Sequence, residues 1–388
     1  MIPFILLFLL LYGSLHTYFF VKIRSALALS VPISLVVLFF LLLMLTAPIL
    51  IHFLENKNLE HVARPFAFVG YTWMGWLFLF FCAALLLDLY HLIVSILPGI
   101  FDLKSAFPDP PTKLRFLLPL GAASLISFYG YFEAQKIRVE TITLPSPKIP
   151  PTAGRITIAQ ISDVHLGLIV GESRLKKIVD ILRQAEPDMI VSTGDLVDGE
   201  ICRVESVLAL LQGLNPPLGK FAVTGNHEFY AEIEQAAACT EDAGFRLLRE
   251  DTARVGDHLI LIGVDDPTRA SFQRGWTTRE KEILLQAEPD PFILLLKHRP
   301  DLDPQTVDLF DLQLSGHTHK GQIFPFSLLV KRAFPRLAGF FRVGTRGHLY
   351  ISRGTGTWGP PIRFLASPEI TLIELIHSDE LLEPVNGG

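Results

Sequence analysis

Four runs of mainly apolar residues, at positions 4–21, 26–53, 66–97 and 116–132, fill the first third of this 388-residue chain. Crossing the hydrocarbon core of a bilayer takes about 20 helical residues. No water is present there to satisfy backbone N–H and C=O groups, so runs of this length without strand alternation are expected to be α-helices. The second and third exceed the minimum, and can tilt or kink at Pro32 and Pro48. The fourth is short, so the expectation is four crossings, or three if that run stays in the interface. A cleaved signal peptide is set aside, because Met1-Ile2-Pro3-Phe4 carries no basic residue and no small-residue cleavage site follows.

Charges are sparse up to Phe132 and recur every few residues from Arg155 onward, as on an ordinary soluble surface. This shift predicts a transmembrane domain over residues 1–135, a linker over 136–152, a soluble domain over 153–380 and a tail over 381–388. Four prolines between Leu144 and Pro151 favour a semi-rigid, extended spacer. The net charge of -5 argues against a nucleic-acid binder held by a broad basic face. The three cysteines, Cys82, Cys202 and Cys239, are too scattered to signal a disulfide framework or a thiolate metal site.

Asp88 and His91, one turn apart in the third run, suggest either an intramembrane ion path or an interfacial pair, and the run is long enough for the second. Basic residues flank the runs almost evenly. Lys22 and Arg24 follow the first helix with no charge before it, which favours those two on the cytoplasmic side. Four crossings would then put the soluble domain outside the cytoplasm.

From Arg155 short apolar runs alternate with helical stretches. Strands are expected near 156–161, 189–192, 221–224, 259–264, 292–296, 312–314, 348–352 and 370–375, with helices near 173–185, 204–211, 231–242 and 278–287. This is an α/β pattern, in which sites form where loops leave the carboxyl ends of strands. The polar clusters fall there: Asp163-Val164-His165, Gly194-Asp195-Leu196-Val197-Asp198, Gly225-Asn226-His227-Glu228, His298, and Gly316-His317-Thr318-His319. One Asp-x-His or His-x-His would mean little. Five clusters of oxygen and imidazole donors in equivalent positions point to a metal site.

These ordered blocks, D-x-H, G-D-x-x-D, G-N-H-[DE], H and G-H-x-H, resemble the calcineurin-like metallophosphoesterase superfamily. Ser162 to Gly167, Gly321-Gln322-Ile323, and Ile351 to Thr357 followed by Pro360-Pro361-Ile362-Arg363 are similar to further motifs of its membrane-associated bacterial branch. The resemblance implies two mixed β-sheets flanked by helices, a four-layer αββα sandwich. It also implies a dinuclear centre of two divalent transition-metal ions. Asp163, His165 and His319 would hold the first ion, Asn226, His298 and His317 the second, and Asp195 would bridge them. A bridging carboxylate suits two cations about 3.5–4 Å apart, and imidazoles favour Mn, Fe, Zn or Co over Mg or Ca. Metal-activated water would attack phosphorus. His227, the block member the family does not use as a ligand, would protonate the leaving oxygen, with Asp198 as its carboxylate partner. Asp198 could equally cap the next helix. Glu228 is expected to support the site or cap a helix rather than to act in catalysis.

Two departures narrow the expected function. The phosphoprotein phosphatases continue their second block as D-R-G, with the Arg on the substrate phosphate, whereas Asp198-Gly199-Glu200 stands here. A phosphodiester, a pyrophosphate or a small phosphomonoester therefore fits better than a phosphoprotein. Lys320 replaces the glycine usual after G-H-x-H, and is either a substrate-binding cation or a solvated loop residue. Residues 324–342 mix large apolar side chains with Lys331, Arg332, Arg336 and Arg342, as an interfacial segment or a packed hydrophobic loop would. The expected protein is thus a membrane-anchored phosphoesterase of a bacterial cell membrane. Its expected substrate is a phosphodiester or pyrophosphate on lipid-linked or cell-envelope material. Competing readings are a UDP-sugar-lipid pyrophosphatase, which would need a cytoplasmic site, and a non-enzymatic sensor or scaffold built on a metal-bound domain.

Overall fold

The computed structural model of the protein describes residues 2–101, 109–198, 205–273 and 275–379. The chain divides into two compact units, one comprising residues 1–132 and 359–362, the other 133–358 and 363–388.

The first unit holds four helices long and apolar enough to cross a membrane: α1 (Ile2–Leu27), α2 (Val31–Asn56), α3 (Glu60–Phe101) and α4 (Thr112–Gln135). Each runs a few residues beyond its apolar stretch or begins before it, because polar end residues continue the helix where water can reach them. Inside the bundle Phe19 packs edge-on against Trp73, Trp76 and Phe80, with ring centroids 4.9–5.6 Å apart. Gly70 lets α3 approach α2 closely; a Cβ there would lie 3.0 Å from that of Ala47. Asp88 accepts a 2.6 Å hydrogen bond from Tyr18 and pairs with Lys22, while His91 pairs with Asp109 at 2.7 Å. The two residues thus have separate polar partners.

The second unit contains two six-stranded mixed sheets. The first has the order β1-β12-β2-β3-β4-β5, from β1 (Arg138–Ser146), β12 (Glu369–His377), β2 (Arg155–Ile161), β3 (Met189–Ser192), β4 (Lys220–Ala222) and β5 (Arg246–Leu247). All its pairs are parallel except β12 with β2. The second has the order β10-β11-β9-β8-β7-β6, from β10 (Gly339–Val343), β11 (Gly347–Ile351), β9 (Leu312–Ser315), β8 (Phe292–Leu296), β7 (Leu259–Gly263) and β6 (Asp251–Val255). Its two outer pairs are antiparallel.

Strand alternation assigns the layers. In β2, Ile156 and Ile158 enter the core between the sheets, while Ala159 and Ile161 turn to the outer core with α5 (Glu172–Ala185), α6 (Glu205–Gln212) and α8 (Ile233–Asp242). In β8, Phe292, Leu294 and Leu296 face the inner core, and Ile293 and Leu295 face α10 (Glu280–Gln286). A one-residue slip would exchange those faces, so the double-sided apolar pattern fixes register. The result is the expected helix–sheet–sheet–helix sandwich.

One sequence expectation needs correction. Residues 136–152 are not a spacer: 138–146 form β1, paired in parallel along all nine residues with β12. Its charged and polar side chains alternate outward because β1 is an edge strand, and Pro145 is tolerated near its end. The helix expected at 231–242 is α8, and a short helix that was not expected, α7 (Asn226–Tyr230), precedes it, so the Asn226-His227 block opens a helix. In addition, Cys239 on α8 is disulfide-bonded, a crosslink that the cysteine spacing did not signal, and Cys82 is free. The expected tail at 381–388 lies outside the described residues.

Candidate metal centre

The loops leaving β2, β3, β4, β8 and β9 bring the predicted donors together. Three groups have ligand atoms mutually within 4.8 Å: Asp163, His165 and His319; Asp195, His298 and His317; and His165, Asp195 and His227. The loops turn sharply enough that Asp163, His165, Asp195, His317 and His319 all have left-handed backbone, φ 47–70°. Such conformations cost about 1–3 kcal/mol each in a non-glycine residue and persist only where surroundings impose them.

Hydrogen bonds impose them here. Both oxygens of the Asp163 carboxylate accept from the His317 amide, at 3.0 and 3.1 Å, and one also accepts from Ser162 Oγ at 2.5 Å. Asp195 Oδ1 accepts from the His227 amide at 2.9 Å. Glu228, fully enclosed, accepts from the amides of Asp195, Leu196, Val197 and Gly225, at 2.7–3.3 Å, tying the β3 loop to the β4 loop. Supporting the site was the role expected of it. Glycine is required where loops touch: a Cβ on Gly316 would lie 1.9 Å from Ser162 Oγ, and one on Gly225 2.2 Å from Asp195 Oδ1.

Ring nitrogens of neighbouring histidines face one another at hydrogen-bond distance. His165 Nε2 lies 3.0 Å from His319 Nε2, and His317 Nδ1 lies 3.2 Å from His298 Nε2. His298 Nδ1 donates to the Thr193 carbonyl at 2.8 Å, which in the neutral ring leaves the Nε2 lone pair on the site side. Asn226 Oδ1 and His165 Nδ1 are buried with no hydrogen-bond partner among the described residues.

Charge follows the same logic. Burial pushes the Asp163 carboxyl up to about 6, aided by Asp195 and opposed by His298. Burial would also raise Asp195, but His298 and then His227 hold it well below the usual carboxylate range. Burial opposes charge on His298 and His227, yet Asp195 in both cases, with Asp163 for the first and Asp198 for the second, lifts them to about 10 and about 9. Burial brings His165 to about 4 and His317 to about 3. A buried pair of carboxylates thus draws protons onto neighbouring imidazoles, as expected of a cluster whose charge balance calls for cations. The clustered imidazole nitrogens and carboxylates, Asn226 Oδ1 with no partner among the described residues, and this demand for positive charge all fit divalent metal ions.

His227 stands apart. Its Nδ1 meets Asp198 Oδ1 at 2.9 Å, and its ring packs edge-on to His165, Tyr230 and Trp358. Asp198 therefore points to His227; residues 199–204, which lead to α6, lie outside the described region. Lys320 has left-handed backbone in the turn after His319, and its ammonium makes no hydrogen bond or ion pair among the described residues.

Sequence reasoning singled out the segment containing Arg363 but gave it no role. The side chain is fully buried and donates to His319 Nδ1 at 3.0 Å and to the carbonyls of His319, Arg353 and Ala366. It fixes the ring of His319 and closes the loop beneath it. No local spacing rule links Arg363 to a histidine 44 residues earlier.

The sequence model described as calcineurin-like phosphoesterase matches residues 156–321, spanning the β2 to β9 loops that carry every donor above. An uncharacterized metallophosphoesterase of Aquifex aeolicus is 35% identical over 254 residues, 65% of this chain and 97% of that protein. The chain belongs to the calcineurin-like phosphoesterase family. This phosphoesterase is also 32% identical to a transmembrane protein with metallophosphoesterase domain of Danio rerio, over 67% of this chain and 62% of that one. An uncharacterized metallophosphoesterase of Helicobacter pylori is 34% identical, over 69% of this chain and 71% of its own. Family membership makes the protein a metal-dependent phosphoesterase, and the four apolar helices associate it with a membrane.

Proposed function

We propose that the protein is a dinuclear-metal hydrolase of phosphodiester or pyrophosphate bonds, acting outside the cytoplasm on a lipid-linked or envelope substrate. The observation that carries this reading is the convergence of two three-residue donor groups, Asp163/His165/His319 and Asp195/His298/His317, with Asp195 also reaching the first through His165. Asp163, His165 and His319 would hold one ion and Asn226, His298 and His317 the other, with Asp195 shared. Divalent ions so held supply charge neutralisation at the phosphoryl oxygens and a water acidic enough to act as a nucleophile near pH 7.

The chain's own residues supply the rest. Asp198 holds His227 by Nδ1, which fixes the ring and keeps it charged, leaving Nε2–H to give its proton to the departing oxygen. Glu228 keeps the β3 and β4 loops at their spacing by gathering four amides. Lys320 offers an unpaired ammonium beside His319 to a substrate oxygen. The absence of a D-R-G arginine supports a diester or pyrophosphate over a phosphoprotein.

The test is manganese-supported hydrolysis of bis(p-nitrophenyl) phosphate and p-nitrophenyl phosphate by the purified full chain, beside Asp195→Asn. Diester turnover that disappears in the variant is the expected result. No turnover with Mn, Fe, Zn or Co on either substrate would overturn the hydrolase reading.

A further inference from the structure

We propose that α11 (Phe326–Ala333) and the exposed rim beside it form a face that seats on an anionic lipid surface, at the mouth of the metal centre. This rests on the hydrolase reading above for its purpose, though not for its geometry. α11 begins a few residues after His319 and has no buried residue. Its Leu328 and Leu329 are 62% and 63% exposed, and Phe326 is 42% exposed. By contrast α5, in the same unit, buries Leu175, Ile178, Val179 and Leu182. An eight-residue helix is too short to hold itself together in water, and while Ser327 rests against the turn at Gly321, Leu328 and Leu329 lie largely open.

The face runs on to the site. Phe334, which follows α11, packs its ring 5.1 Å from that of His317. Trp358 and Tyr230, 52% and 62% exposed, flank His227 at ring distances of 5.8 and 5.6 Å. Large apolar and aromatic side chains therefore surround the opening, where a site for small soluble phosphates would be expected to show polar ones.

Charge decides the occupant. Between Asp311 and Glu369 the sequence contains no acidic residue and eight basic ones. Arg363 and Arg353 are held inside the fold. Lys331 and Arg332, in the last turn of α11, and Arg336 form no ion pair among the described residues. Basic residues bordering exposed Leu, Phe and Trp match an interface of acyl chains beneath anionic headgroups. The chain passes from α4 to β1 through Lys136 and Ile137 alone, so this unit is joined directly to the last apolar helix. Seating this face would offer headgroup phosphates to the metal centre.

The test places a nitrobenzoxadiazole label at position 328, in a full-length Cys82→Ser/Leu328→Cys protein in nanodiscs. The expected result is blue-shifted emission, quenched by doxyl-labelled lipid in phosphatidylglycerol discs. Quenching should fall in phosphatidylcholine discs, at ~500 mM salt, and in Lys331→Glu/Arg332→Glu. Emission at the water wavelength overturns the proposal, and so does a blue shift that doxyl lipid does not quench, since a second copy or another protein surface then covers the helix. If the charge-reversed variant does not fold, judged by its melting transition, the lipid and salt series decide between the same outcomes. None of these readouts needs turnover, so failure of the hydrolase reading is seen separately.

Discussion

At the scale of single residues, His227 and Asp198 make the sharpest claim. The Asp198 carboxylate at 2.9 Å is a principal reason the imidazole stays charged against its burial, together with Asp195. His227→Ala should lower kcat by about 10²-fold or more on an alkyl phosphodiester, whose leaving group needs a proton, and by much less on a p-nitrophenyl ester, whose leaving group does not. Asp198→Asn removes one of the two charges that raise the His227 pKa, so the alkaline limb of the kcat/KM profile should move to lower pH. An unchanged limb would mean that another group donates the proton. The donors themselves were legible in the sequence because each sits two to four residues past a strand, where direction is set by the sheet. Arg363 was not, because its partners are met only after the chain has crossed the fold.

At the scale of elements, β1 shows why a boundary was misplaced. Prolines and outward charges made residues 136–152 look like a spacer, yet the partner strand β12 supplies what that segment lacks by itself. Pairing across more than two hundred residues leaves no trace in a local pattern. A catalytic unit begun at Pro151 would leave the edge of β12 without the nine-residue β1 ladder. Against one begun at Glu133, it should melt on the order of 10 °C lower and aggregate more readily, as differential scanning fluorimetry and light scattering would report. Equal melting temperatures would mean that β1 is dispensable. The central strands were found from sequence because both of their faces are apolar. β5, β6 and β10 were missed because they are short or partly exposed.

At the scale of the whole molecule, orientation is the open variable with the clearest physical handles. Lys22 and Arg24, near the C-terminal end of α1, favour the cytoplasm for that end, and the proposed function takes the catalytic unit to lie outside. In a bacterial host, alkaline phosphatase fused at the C-terminus should be active and green fluorescent protein there dark; the reverse pattern would place the site in the cytoplasm.

The parallel ladder between β1 and β12 also orders events in time. Thr143 meets Glu374 across a separation of 231 residues, so the first strand of the catalytic unit waits for the last. At about 5–20 residues per second, that delay is roughly 10–45 s of synthesis. Throughout it α4 is already made while an unpaired strand hangs directly from it. The nascent chain must therefore be shielded during translation, and the membrane anchor is committed before the enzyme it carries can exist.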